Sequence, residues 1–455
     1  MSMSKLPVIA LLALAVSGCS ILRSDYQRPE LTIPSTWNEG SGLSRLEGDQ
    51  AWWQAFQEQR LDSLVEQALL RNNTLGSSLL KVRRAQLQAG LARDALFPQL
   101  GSGFDASRSR NLRGDSSTTH SYSLNTSVSW EVDLWQRLAS AEDAAQLEAL
   151  ASEGDYEAAR LSLVGTLGSL YWQIAYLNER IAFSQQSVED GERTLALVQV
   201  QYDSGKASTL ELAEARQSLE TLRASHQSLL QQRVEQRNAL AVLFDGAIPA
   251  ELDAIEGLQQ AVLPGVAAGL PASLLGRRPD LRAAELRLRA SLATVDSTRA
   301  SYYPGLSLTG SLGFASSALG NVLQNPVAAL GSGLTLPFLQ WNQMQLNVDI
   351  ARVDYQTAVV DFRQTLYEAL AEVENNLAGR RHYAEQQAMR ERALQAASEA
   401  ERIYRVRYEA GAIDLQSWLN AQETRRNAQI TLLENRRDQL LNHIALCQAL
   451  GGQAQ

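Results

Sequence analysis

Cys19 is the side chain of this sequence whose surroundings point most directly to covalent chemistry. It closes Val16-Ser-Gly-Cys19, behind Lys5 and an apolar run from Val8 to Val16. That run is too short to span a bilayer and reads as an export signal. Its last four residues have the form of a bacterial lipobox, in which Cys19 is lipidated and becomes the mature N-terminus. The covalent lipid is the only added group expected; no other cofactor is. The second cysteine, Cys447, lies in an apolar helical run from Ile444 to Leu450 and reads as an inert buried thiol.

Noncovalent chemistry could come from a second grouping. Tyr408-Glu-Ala-Gly-Ala-Ile-Asp414 interrupts two long helix-forming runs. Gly411 is a helix stop, because glycine takes the left-handed cap conformation at little cost, and Asp414 is a natural N-cap for the next helix. The same punctuation stands 206 residues earlier as Tyr202-Asp-Ser-Gly-Lys-Ala-Ser208. A third grouping, Arg277-Arg278-Pro279-Asp280 with Glu285, looks like a charged site but has a simpler reading. Pro279 suits the first turn of a helix, Asp280 suits its positive end, and the arginines pair with acidic neighbours such as Glu285. The four histidines, His120, His226, His382 and His443, show no metal-ligand spacing. No zinc-protease, nucleophile-elbow or phosphate-loop motif occurs, so nothing supports an enzyme. The net charge of −9 and pI near 5.2 give no basic face for nucleic acid.

The elements that hold these groups repeat. Residues 19–60, with Pro29 and Pro34, read as a lipid-anchored extended segment held down by Trp52 and Trp53. The first repeat covers 61–246: a helix ended by Phe97-Pro98, a hairpin over 99–134, then long helices on either side of Gly205. Ser121 to Leu134 alternates apolar and polar residues, the mark of a two-faced strand. A linker rich in Ala, Gly and Pro fills 247–273, and the second repeat, 274–455, runs through a hairpin over 305–337 to Gly411 and beyond. Phe97-Pro98 matches Tyr303-Pro304, and Leu240–Gly246 matches Leu446–Gly452, at the same offset of 206. The chain is a tandem duplication.

Four strands are too few for a transmembrane barrel, whose minimum is about eight. An open sheet edge cannot face lipid with its N–H and C=O groups unpaired. Strands that span a bilayer must therefore be shared between chains. The intervening helices are too polar for lipid and, at ~1.5 Å per residue, would carry their tips ~100 Å into water. The fold expected is mixed α and β: a transmembrane β-barrel shared between protomers, four strands per chain, continuing into a long periplasmic α-helical barrel.

Leu274-Leu-Gly-Arg-Arg-Pro-Asp-Leu-Arg-Ala-Ala-Glu285 resembles the R-R-P-D-x-x-x-A-E signature of the outer membrane factor family, the TolC-like channels. Ser24-Asp-Tyr-Gln-Arg-Pro29, Trp130-Glu-Val-Asp133, Leu336-Pro-Phe338 and Glu372-Val-Glu-Asn375 fit the same family, in its lipoprotein, OprM-like branch of tripartite efflux systems. Ser20 after Cys19 is similar to the sorting pattern of outer-membrane lipoproteins. The resemblance implies a homotrimer in the outer membrane and an efflux duct for drugs, metals or other small molecules. It also implies a periplasmic membrane-fusion adaptor and an inner-membrane pump, of the RND type. The Tyr-x-x-Gly turns resemble the adaptor-docking tips, which here are Gly205, Lys206, Ala207, Ser208, Gly411, Ala412 and Ile413. In a trimer each tip residue recurs around an aperture, so Tyr408, Asp414, Tyr202 and Asp203 are candidates for a gate, Asp414 foremost. Alternatives are a duct for type I protein secretion and a structural periplasmic coiled-coil lipoprotein.

Overall fold

The computed structural model describes residues 23–38, 51–112, 118–246, 249, 255–258, 261–265, 269, 271–324 and 326–452. Cys19 and the export signal lie outside the described residues, as does much of the 247–273 linker. After a 3-10 turn at Trp52–Phe56 come α1 (Gln59–Arg71) and α2 (Asn73–Asp94), then strands β1 (Gln99–Arg110) and β2 (Thr118–Val132). Next are α3 (Arg137–Asp203) and α4 (Thr209–Val242); a single helical turn, Leu274–Arg277, precedes α5 (Pro279–Ala300). Strands β3 (Gly305–Ser316) and β4 (Pro326–Thr335) lead into α6 (Trp341–Glu409) and α7 (Leu415–Ala449).

The duplication governs these lengths. α2 and α5 have 22 residues each, β1 and β3 have 12, α3 and α6 have 67 and 69, and α4 and α7 have 34 and 35. Left-handed backbone recurs at the matching positions Gly205 and Gly411, Asp245 and Gly451, and Gly246 and Gly452. Two boundaries differ from the sequence reading. The first helix is not continuous from residue 61: it breaks at Asn72, whose side chain accepts from the Leu75 amide at 2.9 Å and restarts the chain as α2. The alternating pattern suggests a fourth strand over roughly Leu330 to Leu336, but the strand begins at Pro326, which pairs with Phe314 at the first position of an edge strand, where proline is tolerated.

The chain divides into two compact units. One comprises Met1–Leu31, Leu80–Gly154 and Arg282–Thr365. It holds an antiparallel sheet in the order β1-β2-β3-β4, with β1 and β4 as edges that no other described strand pairs with. Register puts Leu100, Phe104, Leu124, Trp130, Leu308 and Leu312 on one face. The other face is small and polar: Gly101, Ser127, Ser311 and Ala329 lie across one row of it. On that face of β3 and β4, glycine stands opposite a hydroxyl three times, at Gly305–Thr335, Gly333–Ser307 and Gly331–Thr309. A Cβ on any of these glycines would come within 2.7 to 2.9 Å of the opposing hydroxyl oxygen. Along α5 of this unit runs an N-terminal clip. Ser24 donates from its amide and hydroxyl to Asp296, both at 2.7 Å, and Arg28 binds both oxygens of Glu285.

The second unit comprises Thr32–Leu79, Asp155–Leu281 and Leu366–Gln455. Its core is built from fully buried Leu61, Leu64, Leu167, Tyr171, Ile174 and Phe244. Trp52 is buried there as the sequence suggests, while Trp53 is half-buried and meets it edge-on. Among the described residues no helix is long and apolar enough to cross a membrane.

Candidate functional site

Both Tyr-x-x-Gly turns belong to the second unit and are built alike. At the end of α3 the Gly205 amide donates to the Tyr202 carbonyl at 2.9 Å and the Lys206 amide to the Gln201 carbonyl at 2.7 Å. At the end of α6 the Gly411 amide donates to the Tyr408 carbonyl at 2.8 Å and the Ala412 amide to the Arg407 carbonyl at 2.9 Å. This paired pattern closes a helix around one left-handed residue, and glycine supplies it with φ of 74° and 72°. Open space surrounds both glycines, so the backbone angle alone requires them.

The next helices are capped differently. Ser208 and Glu211 form a reciprocal capping box on α4, the Glu211 amide donating to the Ser208 hydroxyl at 3.2 Å. Asp414 caps α7 by accepting from the Ser417 amide at 2.7 Å. That bond holds the Asp414 carboxyl below the usual carboxylate range, so it carries its charge at neutral pH.

The two turns share one apolar cluster, with Val198, Leu212, Ala215, Tyr408, Leu415 and Trp418 buried together and Ala207 and Ile413 packed against it. Tyr408 is 5 % exposed; its ring stacks on Trp418 at 5.2 Å, and its hydroxyl donates to the Gln201 side-chain oxygen at 2.7 Å. Burial, reinforced by the Glu211 carboxylate, pushes the Tyr408 phenol up from its ordinary value. Tyr202, its repeat counterpart, is 38 % exposed. Of the four gate candidates, Tyr202, Asp203 and Asp414 therefore present their side chains to solvent, and Tyr408 pins the turns to each other. Asp203 accepts from Gln199 at 2.9 Å, one helical turn back. Gly205, Lys206, Ser208, Gly411 and Ala412 are exposed.

Sequence reasoning missed Gln201 and Trp418. The duplication carried a signal for the tryptophan, since the first repeat has Leu212 at the matching position. An aromatic in one copy alone marks the copy whose tyrosine turns inward.

The signature residues hold the fold. Arg278 binds Asp280 at 2.7 Å and Glu372 at 2.6 Å, and donates to the Ala449 carbonyl at 3.2 Å, closing the C-terminus of α7. Asn72 occupies the matching place in the first repeat and donates to the Leu243 carbonyl at 3.1 Å, at the C-terminus of α4. Burial would raise the Asp280 carboxyl, but Arg278 outweighs it and keeps it below the usual range. Pro279 opens α5, and Arg277 closes the preceding single turn, half-buried. The expected pairing of these arginines with Glu285 is corrected: Glu285 is taken by Arg28 at 2.7 Å and by Arg289 at 3.0 Å. Burial acts against the Glu285 charge, and these two guanidiniums more than offset it.

His443 is buried beside Phe56, with Nδ1 3.1 Å from the Arg380 guanidinium and Nε2 3.5 Å from the Cys447 sulfur. Arg380 can only donate, so Nδ1 accepts and the ring proton sits on Nε2. Burial, then the Arg380 charge, lowers the imidazole to about 3. Burial pushes the Cys447 thiol up to about 12, which keeps it inert.

Comparison with known proteins places this geometry. The profile of the outer membrane efflux protein family matches residues 64–245 and again 270–452, once per repeat. The cation efflux system protein CusC of Escherichia coli is 30% identical over 452 residues, 97% of this chain and 97% of its own length. Toxin and drug export protein A of Aggregatibacter actinomycetemcomitans is 28% identical over 439 residues, 95% of this chain and 94% of its own. The crystal structure of the open state of the MtrE outer membrane channel of Neisseria gonorrhoeae superposes with a TM-score of 0.83 at 28% identity, covering 94% of this chain and 97% of that one.

Proposed function

The chain belongs to the outer membrane efflux protein family, and on that footing we propose that three copies close one barrel, passing small molecules outward from a periplasmic adaptor and an inner-membrane pump. It is an outer membrane efflux duct. The observation that carries the assembly is the four-stranded sheet whose β1 and β4 edges have no partner among the described residues. Unpaired backbone groups on those edges cannot face lipid, and copies joined β4 to β1 would satisfy them. One apolar and one polar face give such a barrel a lipid surface and a wet lumen. A structural coiled-coil lipoprotein would have no use for this sheet.

The test is electrophoresis without boiling, followed by planar-bilayer recording. A trimer band that collapses on heating, together with ion conductance, is expected. A monomer that never conducts would sink the proposal.

The exposed residues of the turns, Lys206, Ser208 and Ala412, are the adaptor contacts in this reading. A photo-crosslinker at Ala412 should trap an RND-associated membrane-fusion protein. Trapping the partner of a type I secretion transporter instead would favour protein export, which the name of the Aggregatibacter relative keeps in view. A lipid on Cys19 would tether the chain to the outer membrane. Labelled palmitate should enter the wild type and not Cys19→Ala, with trimers forming in both.

A further inference from the structure

The charges of the sheet are sorted by face. On the apolar face, the described strand residues carry two charged side chains, Arg108 and Arg110. They stand directly across from His120 and Thr118, beside the turn of the β1–β2 hairpin. The strand carboxylates, Asp105 and Glu131, are both on the opposite face. Arg108, Arg110 and His120 are exposed, and neither arginine has a hydrogen bond or ion pair among the described residues. The His120 ring lies parallel to Tyr122, 6.5 Å away and inclined by 6°, so the aromatic pair continues the same face.

Distance along the strand fixes the level of these groups in a bilayer. Tyr122 and Trp130 share the apolar face of β2. Their separation, roughly 26 Å along the strand at ~3.3 Å per residue, projects to ~20 Å across the membrane at a strand tilt of ~35–45°. The levels of His120 and Thr118 then lie ~25 Å and ~30 Å from Trp130, at and beyond the edge of the ~25 Å apolar band. Tyr122 pairs with Ala106 and His120 pairs with Arg108, so the arginines lie just beyond the girdle. A lipid-facing arginine costs about 2–4 kcal/mol at the midplane and about 0–1 near the interface. These two sit where they are tolerated, at headgroup level, at the end of the sheet away from the strand ends that join helices.

We infer that Arg108, Arg110 and His120 form a binding site for the phosphates of a diphosphorylated glycolipid of the outer leaflet. The inference rests on the outer-membrane reading above. Guanidiniums recognise phosphate oxygens in bidentate fashion, and two of them without a carboxylate on their face match two uncompensated phosphates. A zwitterionic phospholipid brings its own ammonium to each phosphate and fits less well.

The test uses the intact protein in detergent, with lipid retention read by native mass spectrometry. The probes are diphosphoryl lipid A, monophosphoryl lipid A, phosphatidylethanolamine and inorganic phosphate. Retention should fall in that order, with inorganic phosphate not displacing the lipid. Arg108→Gln with Arg110→Gln should lower diphosphoryl lipid A retention at least roughly tenfold, as loss of charge-assisted hydrogen bonds requires. Arg108→Lys with Arg110→Lys should fall between the wild type and the glutamine variant, keeping the charge but losing the bidentate fork. Equal retention by the glutamine variant, or phosphatidylethanolamine bound as well as lipid A, overturns the site. If the glutamine variant does not assemble, wild-type lipid preference and the lysine variant decide. Conductance is recorded on the same samples. A wild type that conducts but shows no lipid preference overturns this site alone, and one that prefers lipid A but never conducts counts against the channel.

Discussion

Asp414 has two tasks that substitution can separate. Asparagine caps a helix about as well as aspartate, whereas alanine loses about 1 kcal/mol. If three Asp414 carboxylates ring the aperture, Asp414→Asn and Asp414→Ala should both raise single-channel conductance, and only the alanine variant should lower the melting temperature. Unchanged conductance in both would return Asp414 to the role of helix cap seen in its bond to Ser417. The Ser417 bond holds each Asp414 carboxyl below the usual carboxylate range and so favours its charged form, against the mutual repulsion of a ring. His443 gives a pH signature of opposite origin. Its folded value, about 3, lies below the ordinary imidazole value, so the unfolded chain binds the extra proton between them. Stability from this group is whole above pH ~6.5 and declines as pH falls, by up to about 1.4 kcal/mol per unit. Chemical denaturation of His443→Phe should show a shallower loss between pH 7 and pH 5 than the wild type; parallel curves would refute the assignment. Neither the buried imidazole nor the inward Tyr408 could be read from local sequence. Each depends on residues far along the chain, Arg380 for one and Gln201 for the other.

Elements were the more legible scale. Glycine stops, prolines and the repeat offset placed the helices and hairpins, because those signals are local and occur twice. The break at Asn72 escaped, because no glycine or proline marks it and the asparagine does its work through side-chain bonds to Leu75 and Leu243. Asn72→Ala should therefore cost about 1–2 kcal/mol, measured by denaturant unfolding. Arg278→Ala, at the matching joint, should cost more, since it leaves Asp280 without its guanidinium. The N-terminal clip offers another check. Glu285→Gln weakens the grip on Arg28, so trypsin should cut after Arg23 faster than in the wild type, the Arg28–Pro29 bond being resistant to it. Equal cleavage would show that the Ser24–Asp296 bonds hold the segment unaided.

At the scale of the whole molecule, alternation in β2 foretold a two-faced sheet, and strand count foretold that one chain could not close it. The sorting of charge between the faces was not foreseen, because it emerges only when register aligns four strands. The polar face carries Asp105 and Glu131, the latter paired with Arg137 at 2.7 Å. Asp105→Asn should thus reduce cation preference, read as a reversal potential moving toward zero in a salt gradient. A reversal potential that does not move would place that face away from the conduction path.

Most of the rest of that face is glycine, serine and threonine, with Gln99 and Asn125 adding two side-chain amides. Such a wall offers a passing solute hydroxyl dipoles that water can equally supply. Among the described strand residues Val327 is its one large exposed apolar side chain. A molecule brushing past need not shed its hydration shell, and so gains little by lingering. If that face lines the duct, a solute's residence on it is short whatever the cargo, and discrimination falls to whatever loads the duct.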